Sequence, residues 1–153
     1  MRADTGPGAL RSVDLPGTAS LTLASDPGSI RDGLRILFAM PVLAKLTDES
    51  LGAAEIVLAE VLNNIVEHAY AQFPGNIAIW ITLRDSFLFV RTEDDGVPMP
   101  GGNLPGGKMA CSVDLPEGGF GWFLIRNLSH ELTYQRDGER NLLSFCISVD
   151  YRG

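Results

Sequence analysis

Residues 47–71, TDESLGAAEIVLAEVLNNIVEHAYA, place an apolar and a polar pattern on one helix, and the rest of the chain is read from them. Thr47-Asp48-Glu49-Ser50 opens the helix. Leu51, Ala54, Leu58, Val61, Leu62, Ile65 and Ala69 then recur as one apolar face, so the helix is expected to pack on a core and to run to about Ala71. On the other side Glu60, Asn64 and His68 stand at i, i+4 and i+8, nearly in line, with Asn63 and Glu67 beside them. A carboxylate and a carboxamide one turn apart can share a site. Glu60 can accept a proton from a hydroxyl or hold a nucleophile. The amide oxygen of Asn64 is a neutral, hard ligand suited to Mg²⁺ that also takes phosphate oxygens and water. A solvated helix face is the simpler account of such a stripe. Against it, two successive asparagines at mid-helix cost a few tenths of a kcal/mol each (roughly) relative to alanine, where Lys, Glu or Gln would serve solvent better.

Upstream of this helix, residues 19–24 (ASLTLA) alternate as a short strand. Ser25-Asp26-Pro27 gives a helix start, with Asp26 as cap and Pro27 at the first helical position. Ile30, Leu34, Leu37 and Phe38 follow at helical spacing, and Pro41 closes the segment. Downstream, Pro74-Gly75-Asn76 makes a turn, and residues 77–83 and 87–92 form an antiparallel hairpin. A Gly/Pro-rich stretch over 95–121 is too long for a simple connector and reads as a lid, a binding loop or a disordered segment. A third helix over 122–129 and two strands, 131–136 and 142–149, around Asp137-Gly138 complete the order. The expected fold is α+β, a two-layer sandwich in which about three helices cover one face of a mixed, mostly antiparallel sheet. Residues 1–17, without periodicity, are expected to be a loose terminus, and 18–153 the domain.

Two glycine turns add chemistry. Asp94-Asp95-Gly96-Val97-Pro98 comes straight off a strand, so the Asp94 carboxylate can sit deep in a pocket and accept from an exocyclic amino group such as that of adenine. Gly118-Gly119-Phe120-Gly121 precedes a helix start, where glycine lets the backbone approach a phosphate and free N–H groups await it. Neither is a Walker or a dinucleotide-binding motif, and Asp-Gly alone is a common turn. Their force lies in combination: a Glu–Asn helix, a strand-end DxGxP and a GxG at a helix start, in one order within one domain.

Length and composition bound the alternatives. The chain has 153 residues, the size of one domain, with 45% hydrophobic and 20% charged residues, as in soluble globular proteins. No apolar run approaches the ~18 residues of a membrane span, and the first residues lack a signal peptide's apolar core, so a cytoplasmic setting is expected. Cys111 and Cys146 have no metal-ligand spacing, and with two histidines in the chain a zinc site is not expected. A net charge of −7 argues against direct nucleic-acid binding, which calls for a basic face, and suits a protein that recognises other proteins.

The three motifs together resemble the GHKL superfamily of ATPases and kinases, and within it the small bacterial serine-protein kinases that act as anti-sigma factors in partner-switching systems. Residues 60–70 (EVLNNIVEHAY) resemble the family's asparagine box, including its closing His-Ala-Tyr. Residues 94–98 (DDGVP) resemble the first glycine box and 119–125 (GFGWFLI) the second. Arg126, Glu131, Tyr134 and Arg140-Asn141 also have the family's look, and the likeness runs from about residue 19 to 149. The resemblance implies a histidine-kinase-type ATP-binding fold with ATP and Mg²⁺ as cofactors. Glu60 would be the catalytic base or orienting carboxylate, and Asn64 the Mg²⁺ ligand. Asp94 would read the adenine, with Gly96 shaping its turn. Gly119 and Gly121 would admit the phosphates, and His68, Pro98 and Asn141 would complete the nucleotide site. His68 is not expected to be phosphorylated, because sensor kinases carry that histidine on a separate helical domain.

The implied function is a serine/threonine-protein kinase and anti-sigma factor. It would bind a sigma factor and phosphorylate a serine on a STAS-type anti-sigma antagonist, as a homodimer formed through the first strand and first helix. A non-catalytic, ATP-dependent partner-switching module and an interaction domain without nucleotide are the alternatives. Two departures stand out: the lid carries one basic residue, Lys108, and Asn141 and Ser144 stand where relatives often place a phosphate-touching threonine.

Overall fold

The computed structural model describes residues 10–11, 17–104 and 119–153. In chain order these form β1 (Leu10–Arg11), β2 (Thr18–Ala24), α1 (Pro27–Phe38), α2 (Pro41–Ala44), α3 (Asp48–Asn64), β3 (Asn76–Arg84), β4 (Phe87–Asp94), α4 (Gly119–Leu128), β5 (His130–Asp137) and β6 (Arg140–Ser148). The strands make one six-stranded sheet in the order β1-β2-β3-β4-β6-β5. β1 lies in the segment expected to be loose, where Leu10 and Arg11 pair with Leu21 and Ser20.

The α+β, two-layer arrangement is the one expected, but the sheet is not mixed: every pairing is antiparallel. The connections explain it. Between β2 and β3 the chain makes two long helical passes, α1 and α3, which return it to the end it left, so β3 runs against β2. β4 would be parallel to β5, but the β5–β6 hairpin places β6 between them.

Period-two burial makes one face of the sheet the core. Ile77, Ile79 and Ile81 are fully buried, as are Leu88 and Ile147, while the intervening residues of β3 are only half-buried. Against them pack Ile30 and Leu37 of α1, Ala54, Val57, Leu58, Val61 and Leu62 of α3, and Trp122 and Ile125 of α4. The helix starts follow their caps. The Asp26 carboxylate accepts from the Ser29 N–H at 2.8 Å, and the Thr47 hydroxyl from the Ser50 N–H at 3.2 Å. Pro41 does more than end α1: it occupies the first turn of the unexpected short helix α2, as its fixed φ allows.

α3 also differs from expectation. Its α-helical part stops at Asn64, and Ile65–Ala69 continue as one π-helical turn closed by the Tyr70 N–H on the Ile65 carbonyl at 3.2 Å. After β6 the chain is strapped to the start of α3. Thr47 N–H donates to the Asp150 carbonyl at 3.0 Å, and Asp150 N–H to the Ser50 hydroxyl at 2.8 Å.

This topology gathers the motifs. Helix α3 ends, β4 ends and α4 begins at the same end of the sheet, so Asn64, Asp94 and Gly121 meet there although they are far apart in sequence.

Candidate functional site

Asn64 is the last residue of the α-helical part of α3 and is 3% exposed. Its Nδ2 is buried with no hydrogen-bond partner among the described residues. Leaving a buried amide unpaired costs roughly 1–3 kcal/mol, so the group suits a partner that the described residues do not supply. Because no partner fixes which way the amide faces, either its oxygen or its nitrogen can be turned to the ligand. Glu60, one turn earlier, is half-buried.

The first turn of α4 closes over both residues. A Cβ on Gly121 would stand 2.7 Å from Glu60 Oε1 and 3.4 Å from Asn64 Nδ2. The expected GxG turn before a helix at residue 122 is therefore corrected: Gly119 and Gly121 lie inside α4, which starts three residues earlier. A side chain in place of Gly121 would press on the Glu60 carboxylate and the Asn64 amide, so glycine lets the turn pass close to both.

The other wall is the turn after β4. Asp94 is 5% exposed, and its Oδ1 accepts from the Gly96 N–H at 2.9 Å and from Asn141 Nδ2 at 2.8 Å. Gly96 is needed for space: a Cβ there would meet the Ala69 carbonyl oxygen at 2.3 Å and the Ala69 Cβ at 2.5 Å. The π-turn brings Ala69 to this position, where its carbonyl accepts from the Val97 N–H at 2.9 Å. Tyr70 completes the clamp, donating to the Asn76 carbonyl at 2.6 Å and accepting from the Asp95 N–H at 2.8 Å. Gly96→Ala must push this turn off Ala69. It is expected to destabilise the fold by about 1–3 kcal/mol, read as a lower Tm in thermal unfolding.

Asn141, on β6, has no hydrogen-bonding capacity left for a phosphate. Its Nδ2 also donates to the Val97 carbonyl at 2.9 Å, and its Oδ1 accepts from the Tyr134 hydroxyl at 2.6 Å and Arg136 Nη1 at 3.1 Å. It is a strut that holds Asp94 and its turn against β5. Arg136 adds a bond to the Gly96 carbonyl at 2.7 Å, and the Tyr134 hydroxyl accepts from the Met99 N–H at 2.9 Å. Ser144 faces away, its hydroxyl 2.9 Å from that of Thr133.

Between these walls lies a small cavity of about 30 Å³. Val61, Ile65, Ala69, Met99, Trp122 and Leu143 give it apolar sides, and Asn64, Asp94, Tyr134 and Asn141 its polar points. His68 and Pro98 also border it and are exposed. An apolar slot with one acid at its end suits a flat, nitrogen-rich base. Lys108, Cys111 and most of the lid lie outside the described residues.

Burial pushes the Asp94 carboxyl above the ordinary aspartate range, against the lowering effect of its bonds from Asn141 and Gly96 and of the Arg136 charge. Its folded pKa exceeds its unfolded one, so ionised Asp94 costs stability that is regained as pH falls through the folded value toward 3.8. The ionised carboxylate accepts from a ligand amino group more strongly than the neutral acid does. Adenosine affinity, titrated from pH 7 downward, is therefore expected to fall at a higher pH than an ordinary aspartate would give, and Asp94→Asn to remove that dependence.

The profile of the histidine kinase-like ATPase domain matches residues 23–147, most of the chain and all three motifs. The chain belongs to the histidine kinase-like ATPase domain family. Among curated proteins, this ATPase domain is similar to the serine-protein kinases RsbW of Bacillus cereus (strain AH820) and Bacillus anthracis (strain CDC 684 / NRRL 3495). Each is 32% identical over 88 residues, 54% of this chain and 55% of the relative. The chain thus spans about half the length of the curated relatives it matches. Among solved structures, the histidine kinase domain of the blue-light activated histidine kinase EL346 from Erythrobacter litoralis aligns with a TM-score of 0.48 and 22% identity. That alignment covers 68% of this chain and 50% of the other.

Of the site residues expected from sequence, Asn64, His68, Asp94, Pro98 and Asn141 border the cavity. Gly96 shapes the Asp94 turn, and Gly121 lies over Glu60. Glu60 stands beside the cavity rather than in its lining, and Gly119 is placed in the first turn of α4. Arg136 was not anticipated in the ATPase domain's site. Its signal was faint: Leu132, Tyr134 and Arg136 are the half-buried positions of β5, at period two.

Proposed function

We propose that this ATPase domain is an ATP-dependent protein-serine/threonine kinase that also acts as an anti-sigma factor. The observation that carries the reading is the meeting of Glu60, Asn64 and Gly121 beside a cavity that Asn64 and Asp94 both line. The similarity to serine-protein kinases RsbW supports the kinase class.

In this reading the base of ATP enters the apolar slot. Asp94 Oδ1 is already taken by two donors, which leaves Oδ2 for the exocyclic amino group. The backbone of the first turn of α4 lies over the phosphates, where free N–H groups meet negative charge. Asn64 fits Mg²⁺, since its unpaired amide can present an oxygen to a cation that brings phosphate oxygens and waters. When bound, the ion supplies charge neutralisation on the phosphates. Glu60 receives the proton of the incoming serine hydroxyl. A new Oγ–P bond forms as the bond from the γ-phosphorus to the bridging oxygen breaks, and ADP leaves.

The proposed partners are a sigma factor and a STAS-type antagonist that carries the acceptor serine. The proposed assembly is a homodimer through β2 and α1, whose Ile36 is 41% exposed. No helix among the described residues is long and apolar enough to cross a membrane. Incubation with Mg-ATP and the cognate antagonist, followed by mass spectrometry, is expected to find one phosphoserine on the antagonist. An antagonist that stays unmodified while Mg-ATP demonstrably binds would leave the non-catalytic switch as the better reading.

A further inference from the structure

Three side-chain polar atoms are buried without a partner among the described residues: Asn64 Nδ2, Thr92 Oγ1 and Trp122 Nε1. Asn64 and Trp122 border the same cavity, and Thr92 does not. Trp122, in the first half of α4, is 3% exposed. An indole N–H can only donate, and buried donors in folded proteins are paired in the great majority of cases. Leucine or phenylalanine would line an apolar slot without stranding a donor. The indole is therefore a costly choice unless something enters the cavity to accept from it.

The other polar groups around the cavity narrow what that something is. Asn141 is saturated, and Tyr134 both donates, to Asn141, and accepts, from Met99. Asn64 is taken by the cation in the reading above and His68 is exposed at the border, so among the described residues the buried groups left for a base are one acceptor, Asp94 Oδ2, and one donor, Trp122 Nε1. This pair complements a heteroaromatic base with an exocyclic amino donor and a ring-nitrogen acceptor. We propose that Trp122 is a base-recognition residue of this site, its indole N–H donating to a ring nitrogen of the bound adenine. The proposal rests on the nucleotide reading given above and adds a contact to it.

The indole N–H resonances of the full chain report on this directly. The chain has two tryptophans. The second, Trp80, is half-buried on the opposite face of the sheet with the Arg91 guanidinium 4.6 Å from its ring centroid, and serves as the internal control. Trp80→Phe assigns the two signals. On adding Mg-ATP the Trp122 signal is expected to move downfield and exchange more slowly while that of Trp80 stays, and adenosine alone is expected to reproduce the shift. Trp122→Phe is expected to weaken nucleotide binding about threefold to tenfold, the worth of one hydrogen bond. A thermal shift with Mg-ATP, run in parallel, separates the two ideas. Stabilisation by ATP with an unmoved Trp122 signal overturns the role of Trp122 alone. A signal that moves with ATP but not with adenosine overturns the assignment to the base. No stabilisation and no shift overturns the nucleotide reading itself. If Trp122→Phe does not fold, the wild-type spectra still decide.

Discussion

Glu60→Gln is expected to lower phosphoryl transfer to the antagonist by about 10²- to 10⁴-fold, the usual worth of a positioned general base, with Mg-ATP affinity unchanged. The geometry separates the two effects. Glu60 stands outside the lining of the base cavity, so an isosteric amide there leaves the adenine contacts alone. It stands against the first turn of α4, where the phosphates would lie, and an amide cannot take up the serine proton. Single-turnover transfer and equilibrium binding, measured on the same preparation, check the split. Equal transfer rates in the two proteins would assign Glu60 to structure.

The second large effect is expected at the opposite end of the site. Asp94→Asn should weaken adenine-nucleotide binding on the order of 10²- to 10³-fold, from loss of a charge-assisted bond and the approach of two donors. Two N–H donors, from Gly96 and Asn141, already face the Oδ1 position. The new amide must keep its oxygen toward them, which turns its own NH₂ toward the amino group of the base. Stability should not suffer, because burial disfavours the ionised aspartate that the amide replaces. Calorimetric titration with thermal unfolding as control checks both parts. A large drop in Tm would mean that Asp94 serves the fold first.

The fold was legible wherever a single periodicity governs a segment. The apolar face of α3, the strands β3 and β4, and the Asp26 cap of α1 follow from local pattern. What sequence misjudged depends on contacts between distant segments. The π-turn at Ile65–Ala69 forms where the Ala69 carbonyl meets Val97 N–H, and nothing in the periodicity of EVLNNIVEHAY marks it. α4 starts three residues earlier than the glycines suggested, and this brings Gly121 close to Glu60. The wholly antiparallel sheet follows from the number of helical passes between strands, which an element order does not state. For the site, the motif residues were visible because each needs a particular chemistry. Asn141 was expected in the site and Tyr134 was noted beside it, but their work with Arg136 as a strut was not legible, because it acts on a turn 40 to 47 residues away in sequence.

Every role assigned above requires that a nucleotide enter the cavity between Asn64 and Asp94. Calorimetric titration of the chain with Mg-ATP tests that requirement most directly. The account predicts saturable binding of one ATP per chain, strongly weakened in Asp94→Asn and accompanied in the wild type by a higher Tm. Absence of both heat and stabilisation at millimolar Mg-ATP would contradict it.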